Sequence, residues 1–368
     1  MSSPIPPPPP SELKPASQPL LPARIPSFVS KLAISLLVAA GFLWLLRRGG
    51  LAVVPPRSAF AGLAWWALPA YTLLYGVATL LRTYRWIHLL RPIQPRLEAT
   101  RVLGIGLIGF MAILFAPLRS GEVVRPWLLA RDGEVSFLQA AGTVAAERIV
   151  DGLTLTILLS CSLVFSTPLS PLPDRLGQLP VPVTAVPHAA TLALSIFAAA
   201  FLAMALFYFS RAAARRLVHA TLGLVWPASA RFVSQRLEHL ADGLGFLLSR
   251  QHAAAFLRDT ALYWALSAIS FWALLRGCGL PGSFVQACAV MGIMGLGTLI
   301  PSGPGFFGAY QISAYCGLAM YFPEPIVLSA GAAFTFLSYV VQITATAGFG
   351  MLGFRLVARR PPLTAAPG

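Results

Sequence analysis

The sequence predicts an all-α integral membrane protein: a polytopic helical bundle of about six to eight spans, with re-entrant or broken helices and a suggested inverted repeat. Three observations carry this prediction. Hydrophobic residues make up 57% of the chain and charged residues 11%, proportions foreign to soluble domains. Long apolar segments recur, separated by arginine-bearing connections. Two of those segments are interrupted by glycine and proline.

Residues 1–26, with Pro6 to Pro10 followed by Pro15, Pro19, Pro22 and Pro26, cannot bury a core and are expected to form a disordered tail. The run Phe28 to Leu46 has the length of a span. Arg47 and Arg48 follow it in place of a small-residue cleavage site, which predicts a retained first helix rather than a signal peptide. A transmembrane domain over 27–360 results, with a short tail at 361–368. Its further apolar runs are Phe60 to Leu81, Val102 to Leu118, Phe137 to Phe165, Ala189 to Phe209, Thr260 to Leu275, Phe284 to Ile300, Phe306 to Phe322 and Ile326 to Phe354. Helices are the economical reading of so many, because lipid leaves no water to satisfy an open backbone.

Orientation follows from the connections. Arg82, Arg85, Arg91, Arg96 and Arg101 mark one as cytoplasmic, Arg211 to Arg258 another, and Arg355, Arg359 and Arg360 place the C-terminus on that side. The segments after Phe165 and after Leu275 are nearly free of arginine and are expected outside. Both termini then face the cytoplasm of an inner (plasma) membrane, although Arg47, Arg48 and Arg57 run against this scheme. The connection 211–258 also has Val233, Leu237, Leu240, Leu244 and Leu247 at helical spacing, an amphipathic pattern that suits an interfacial helix, a solvated pair or a partner site.

Val102 to Leu118 has arginines before and after it, so both ends face one side and the segment is expected to enter and return. Gly104, Gly106, Gly109 and Pro117 allow the break. A second break falls at Pro301-Ser302-Gly303-Pro304-Gly305, in a stretch from Gly277 to Pro323 without a charge. Each broken segment follows a helix pair, and three crossings separate the starts of the two halves. Such paired interruptions point to a transporter-like site near the midplane, although glycines also let helices merely pack closely.

Charge inside the membrane narrows the site. Glu147, Arg148 and Asp151 fall within Phe137 to Phe165, where each charge costs about 2.5–3.5 kcal/mol at the bilayer centre unless it finds a partner or water. Arg148 reaches Asp151 at three-residue spacing, as Arg125 reaches Glu122. Arginine forks onto phosphate and carboxylates hold an amine, so these residues suit a polar path for a headgroup; a structural ion-pair network is the other reading.

The stretches Pro117-Leu118-Arg119-Ser120-Gly121-Glu122-Val123-Val124-Arg125, Glu147-Arg148-Ile149-Val150-Asp151 and Pro301-Ser302-Gly303-Pro304-Gly305 with Gly308, together with Arg82-Thr83-Tyr84-Arg85-Trp86, resemble the signatures of the lysylphosphatidylglycerol synthase transmembrane region, a flippase-like family. The resemblance covers Phe28 to Arg360. It implies movement of aminoacylated phosphatidylglycerol between leaflets, with Arg119, Glu122, Arg125, Glu147, Arg148 and Asp151 as substrate-binding residues. Pro117, Gly121, Pro301, Gly303, Pro304, Gly305 and Gly308 would be its breaks and hinges. With Gly368 as its last residue the chain is expected to lack the soluble aminoacyltransferase domain of the best-understood relatives. It departs from the family pattern in having Ile113 and Leu114 where asparagine is common, and Phe306 and Gln311 where glycine and glutamate are common.

Other chemistries find no support. Gly104-Ile105-Gly106-Leu107-Ile108-Gly109 matches a dinucleotide fingerprint in letters but follows no strand. Lys14 and Lys31 have no Walker A context, the five histidines no HExxH spacing, and Cys161, Cys278, Cys288 and Cys316 no CxxC pairing. No cofactor, metal or nucleic-acid partner is expected. Three functional classes remain: a translocator of anionic or aminoacylated phospholipid or of a lipid-linked headgroup, a membrane-embedded lipid-modifying enzyme using Glu147 or Asp151 as base, and an accessory subunit whose partner is a separate envelope-lipid synthase.

Overall fold

The computed structural model describes residues 25–131, 133, 135–180, 183–209 and 249–358, which are helical apart from short connections. The expected disordered tail up to residue 24, the amphipathic pattern from Val233 to Leu247 and the tail 361–368 lie outside the described residues. The α-helices are α1 (Ile25–Arg48), α2 (Ala67–Tyr84), α3 (Trp86–Leu90), α4 (Ala99–Phe115), α5 (Val124–Arg131), α6 (Phe137–Phe165), α7 (Val186–Phe209), α8 (Arg250–Gly277), α9 (Phe284–Gly297), α10 (Ala309–Ala319), α11 (Glu324–Leu328) and α12 (Ala330–Ala358). Among the described residues four stretches are long and apolar enough to cross a bilayer: Ser30–Arg48, Phe137–Phe165, Val183–Leu206 and Glu324–Ala358. This is a multi-pass helical membrane protein.

Serines fix several helix starts. The hydroxyls of Ser136, Ser249 and Ser283 accept from the backbone N–H of Gln139, His252 and Gln286, which satisfies donors that a helix start leaves open. At Ser136 and Ser283 the glutamine side chain returns the bond.

Two spans differ from expectation. The run Phe60 to Leu81 becomes a 3-10 turn at Arg57–Phe60 and then α2 from Ala67, with Trp65 and Trp66 exposed before the helix as interfacial aromatics are. Helical backbone then continues through Arg85 into α3, so Arg82 and Arg85 are not loop charges, and Arg85 is fully buried. Carboxylates on α6 draw them inward. Similarly, α8 extends the run Thr260 to Leu275 at both ends and takes in Arg258 and Asp259.

Both interrupted segments are hairpins. After α4, Ala116 is extended and Pro117 opens a 3-10 turn, Pro117–Val123, that folds back along α4 before α5 begins. Gly121 rests directly on the backbone of Ala112 and Ile113, an approach that admits no Cβ. In the second half α9 and α10 lie side by side, with Gly297 against Ser313 at the tip and Gly282 near Phe322 at the open end.

The hairpins enter from opposite ends of α6. Arg125 of α5 meets Glu147 in its N-terminal half, whereas Gly292 and Gly295 of α9 pack against Leu159 and Leu155 further along. Their tips meet near the middle: α4 touches the 3-10 turn Pro304–Phe306, and α1 contacts both tips, with Ala39 against Gly303 and Phe42 against Gly308.

The packing also follows an inverted plan. Helix α2 packs on α8, each the second long helix of its half. The first hairpin packs through α4 on α12, the last helix of the second half, and the second hairpin packs through α9 on α6, the last long helix of the first. The two apolar cores divide along α6, with Ala140, Val144, Ala146 and Val150 in one and Leu159 in the other. Asp151 lies at the boundary.

Candidate functional site

The ion cluster is assembled from α2, α5 and α6. On α6, Glu147 and Asp151 follow the helix start by about 15 and 21 Å, from a rise of about 1.5 Å per residue. Arg85 forks onto Asp151, with Nη2 at 2.6 Å from Oδ1 and 2.7 Å from Oδ2, and its Nη1 donates to Thr260 Oγ1 at 2.8 Å. Arg125 Nη2 donates to Glu147 Oε2 at 2.8 Å, and Arg148 Nη2 to Glu147 Oε1 at 2.7 Å. Charge-assisted bonds of this kind are the strong ones in a dry interior.

The expected pairs change accordingly. Arg125 turns to Glu147, not to Glu122. Arg148 keeps a longer contact with Asp151, at 3.7 Å, besides its bond to Glu147. These changes arise because the hairpin lays α5 against α6, a proximity that sequence spacing does not contain.

Burial splits the cluster in two. The side chains of Arg85, Arg125 and Glu147 are 0% exposed, whereas those of Arg82, Arg148 and Asp151 keep 29%, 24% and 10%. The guanidinium of Arg125 stacks on Trp86, with Cζ 4.2 Å from the ring centre, and Trp86 donates to Thr143. Gly109 leaves room for its stem. These three buried residues hold helices together. Arg82, Arg148 and Asp151, by contrast, line a cavity of about 440 Å3, within the range of about 300–1,000 Å3 usual for small-molecule sites.

The cavity lies between the hairpin tips. Phe110, Ile113, Leu114 and Glu122 come from the first, and Thr298, Leu299, Gly305 and Phe306 from the second. Phe110 faces three guanidiniums, with its ring centre 4.6, 5.0 and 5.6 Å from the Cζ atoms of Arg82, Arg125 and Arg148. Beyond them the wall turns to hydroxyls and amides: Tyr75, Tyr310, Tyr339, Gln342 and Thr346. Gln342 Nε2 donates to Tyr310 OH at 2.8 Å and to Tyr71 OH at 3.2 Å.

Of the residues expected at the site, Glu122, Arg148 and Asp151 line the cavity, while Arg125 and Glu147 stand behind it. Arg119 belongs to the turn after Pro117, and its side chain lies outside the described residues. Pro301 is exposed beyond α9, and Gly303 lies so close to α1 that a Cβ there would come 2.5 Å from that of Ala39. Pro304 opens the second tip's turn, and Gly305 and Gly308, at φ of +71° and +90°, make the bends that a side chain would strain. Arg82 and the tyrosine wall were not among the expected residues. Arg82 carried a signal, being tandem with Arg85 after an apolar run, but it read as a loop charge.

The model of one family, the lysylphosphatidylglycerol synthase TM region, matches residues 32–345. The chain belongs to that family. No curated protein and no solved structure matches it. Membership ties this membrane protein to lipid metabolism and gives the departures from the lysylphosphatidylglycerol synthase pattern a physical reading. Gln311 Oε1 accepts from the Gly308 N–H at 2.7 Å, so a glutamine supplies the acceptor at the start of α10 and adds no charge beside the tip. Ile113 and Leu114 supply apolar wall where relatives commonly have asparagine nearby. Among the described residues no group of three or more His, Cys, Asp or Glu is placed to hold a metal.

Proposed function

We propose that this protein translocates a phospholipid or lipid-linked headgroup between the leaflets of the inner (plasma) membrane, with both termini cytoplasmic. The headgroup occupies the cavity between the hairpin tips while the acyl chains remain in the bilayer, since about 440 Å3 admits a headgroup and not a whole lipid. One observation supports the reading: Arg82 and Arg148 reach a cavity that is bounded by two hairpins entering from opposite ends of α6. An arginine pair with this exposure offers fork-shaped donors to a phosphodiester. Arg82 suits the task, because its guanidinium stands 3.7 Å from Asp151, outside hydrogen-bond range, and its side chain keeps 29% exposure. Glu147, Arg85 and Arg125 hold the frame on which this pair is mounted. Rocking of one hairpin against α1 would open the cavity to one leaflet at a time.

The test is reconstitution of the full chain into vesicles with a fluorescent anionic phospholipid, whose exposure to an external quencher is followed over time. The wild-type protein is expected to speed exchange between leaflets, and Arg148→Ala and Arg82→Ala to slow it by about tenfold or more, the worth of a charge-assisted bond. Chemical change of the lipid without exchange would favour the enzyme reading and overturn this one.

A further inference from the structure

Resting on that reading, we infer that the lipid carries one net negative charge and a neutral, hydroxyl-rich headgroup such as glycerol or a hexose, not the cationic headgroup for which the family is named. Two observations lead there. The first is the charge balance. Among the described side chains Arg82, Arg85, Arg125 and Arg148 stand against Glu122, Glu147 and Asp151, so four described guanidiniums meet three carboxylates around one end of the cavity. A single phosphodiester closes that difference. A lipid whose headgroup carries two ammonium groups would bring a net positive charge and widen it, at a depth where uncompensated charge is costly.

The second is the chemistry of the other end. Tyr75, Tyr310, Tyr339, Gln342 and Thr346 offer aromatic faces, hydroxyls and an amide, and no carboxylate lines that wall among the described residues. Tyr75 OH lies 3.4 Å from Thr346 Oγ1, and Gln342 braces Tyr310, so the hydroxyls are held in position by contacts between α2, α10 and α12. Tyr310 and Tyr339 in turn lie 5.2 Å apart, centre to centre. An ammonium group seeks a carboxylate or a full aromatic cage; sugar or glycerol hydroxyls pair with other hydroxyls and amides and rest their C–H faces on rings.

The experiment uses the full chain in vesicles with three fluorescent lipids: phosphatidylglycerol, lysyl-phosphatidylglycerol and phosphatidic acid, which lacks a headgroup beyond phosphate. Phosphatidylglycerol is expected to cross about tenfold faster than the lysyl form, the ratio that one unpaired buried charge or hydrogen bond commands. Gln342→Leu should slow phosphatidylglycerol by about three- to tenfold and leave phosphatidic acid unchanged. Gln342→Glu, which keeps the shape and adds a carboxylate, should narrow or reverse the preference against the lysyl form. Equal rates for the two headgroups, or a preference indifferent to both Gln342 variants, would overturn the inference and leave the translocation reading standing. Thermal stabilisation of the detergent-solubilised protein by short-chain versions of the same lipids separates the remaining case. Stabilisation by phosphatidylglycerol that Gln342→Leu removes, without exchange in vesicles, would keep the headgroup site and sink translocation; no stabilisation and no exchange would sink both.

Discussion

The hairpin from Ala99 to Arg131 carries Arg101, Arg119, Glu122, Arg125 and Arg131, whereas the hairpin from Phe284 to Ala319 carries no charged residue. Both double back on themselves, and both tips reach α1 and the cavity. The first is tied down by a buried ion pair, Arg125 with Glu147, and by a guanidinium stacked on Trp86. The second is held by close approach at Gly292, Gly295, Gly297 and Gly303, and by the Gln311 acceptor at its turn. A membrane-embedded turn can therefore be fixed by charge or by shape. Charge leaves a surplus that a ligand can answer, and shape leaves none.

Substitutions can break this contrast. The largest effect is expected for Glu147→Ala, which strands Arg125 without its carboxylate in a dry interior and should cost about 3–5 kcal/mol of stability. Thermal unfolding in detergent, with monodispersity as the readout, would show it; an unchanged midpoint would mean that the first hairpin is held by packing, like the second. Gly308→Ala comes next, at about 1–3 kcal/mol, because it forces a side chain into a left-handed bend facing Phe42. Gln311→Leu removes the acceptor for the Gly308 N–H and should cost about 1 kcal/mol, whereas Gln311→Glu should restore that bond. The smallest change is expected from Pro304→Ala, about 0.4–1 kcal/mol through a less restricted unfolded chain. If this last exceeded the first, the charged and charge-free hairpins would have to exchange roles.

Much of the architecture was legible in the sequence. The first hairpin was expected from arginines on both sides of Val102 to Leu118, but Arg119 and Arg125 lie on its turn and return helix, Arg125 buried. Gly104, Gly106 and Gly109 sit inside the unbroken α4, so the break falls only at Pro117. The second hairpin was expected from the absence of charge around Pro301 to Gly305. Glycine and proline at both breaks gave the matching halves. Arg148 and Asp151, which line the cavity, and Glu147 behind it were legible as charge inside an apolar run, and Glu122 through the motif that follows Pro117. Arg85 was missed because a guanidinium at the end of a span reads the same whether it faces water or a carboxylate on another helix. The tyrosine wall was hidden for a different reason: Tyr75, Tyr310 and Gln342 are ordinary apolar-face residues in their own helices. They become a polar surface only when α2, α10 and α12 converge.

The exchange of partners between halves, α4 on α12 and α9 on α6, governs how the chain can be made. Synthesis delivers the first hairpin into the lipid long before the helix that covers α4 leaves the ribosome, so Gly104 must wait for its neighbour Gly353 to arrive. Neither portion is a complete unit alone. Co-expressed as two separate polypeptides cut between α6 and α7, they should assemble only with each other.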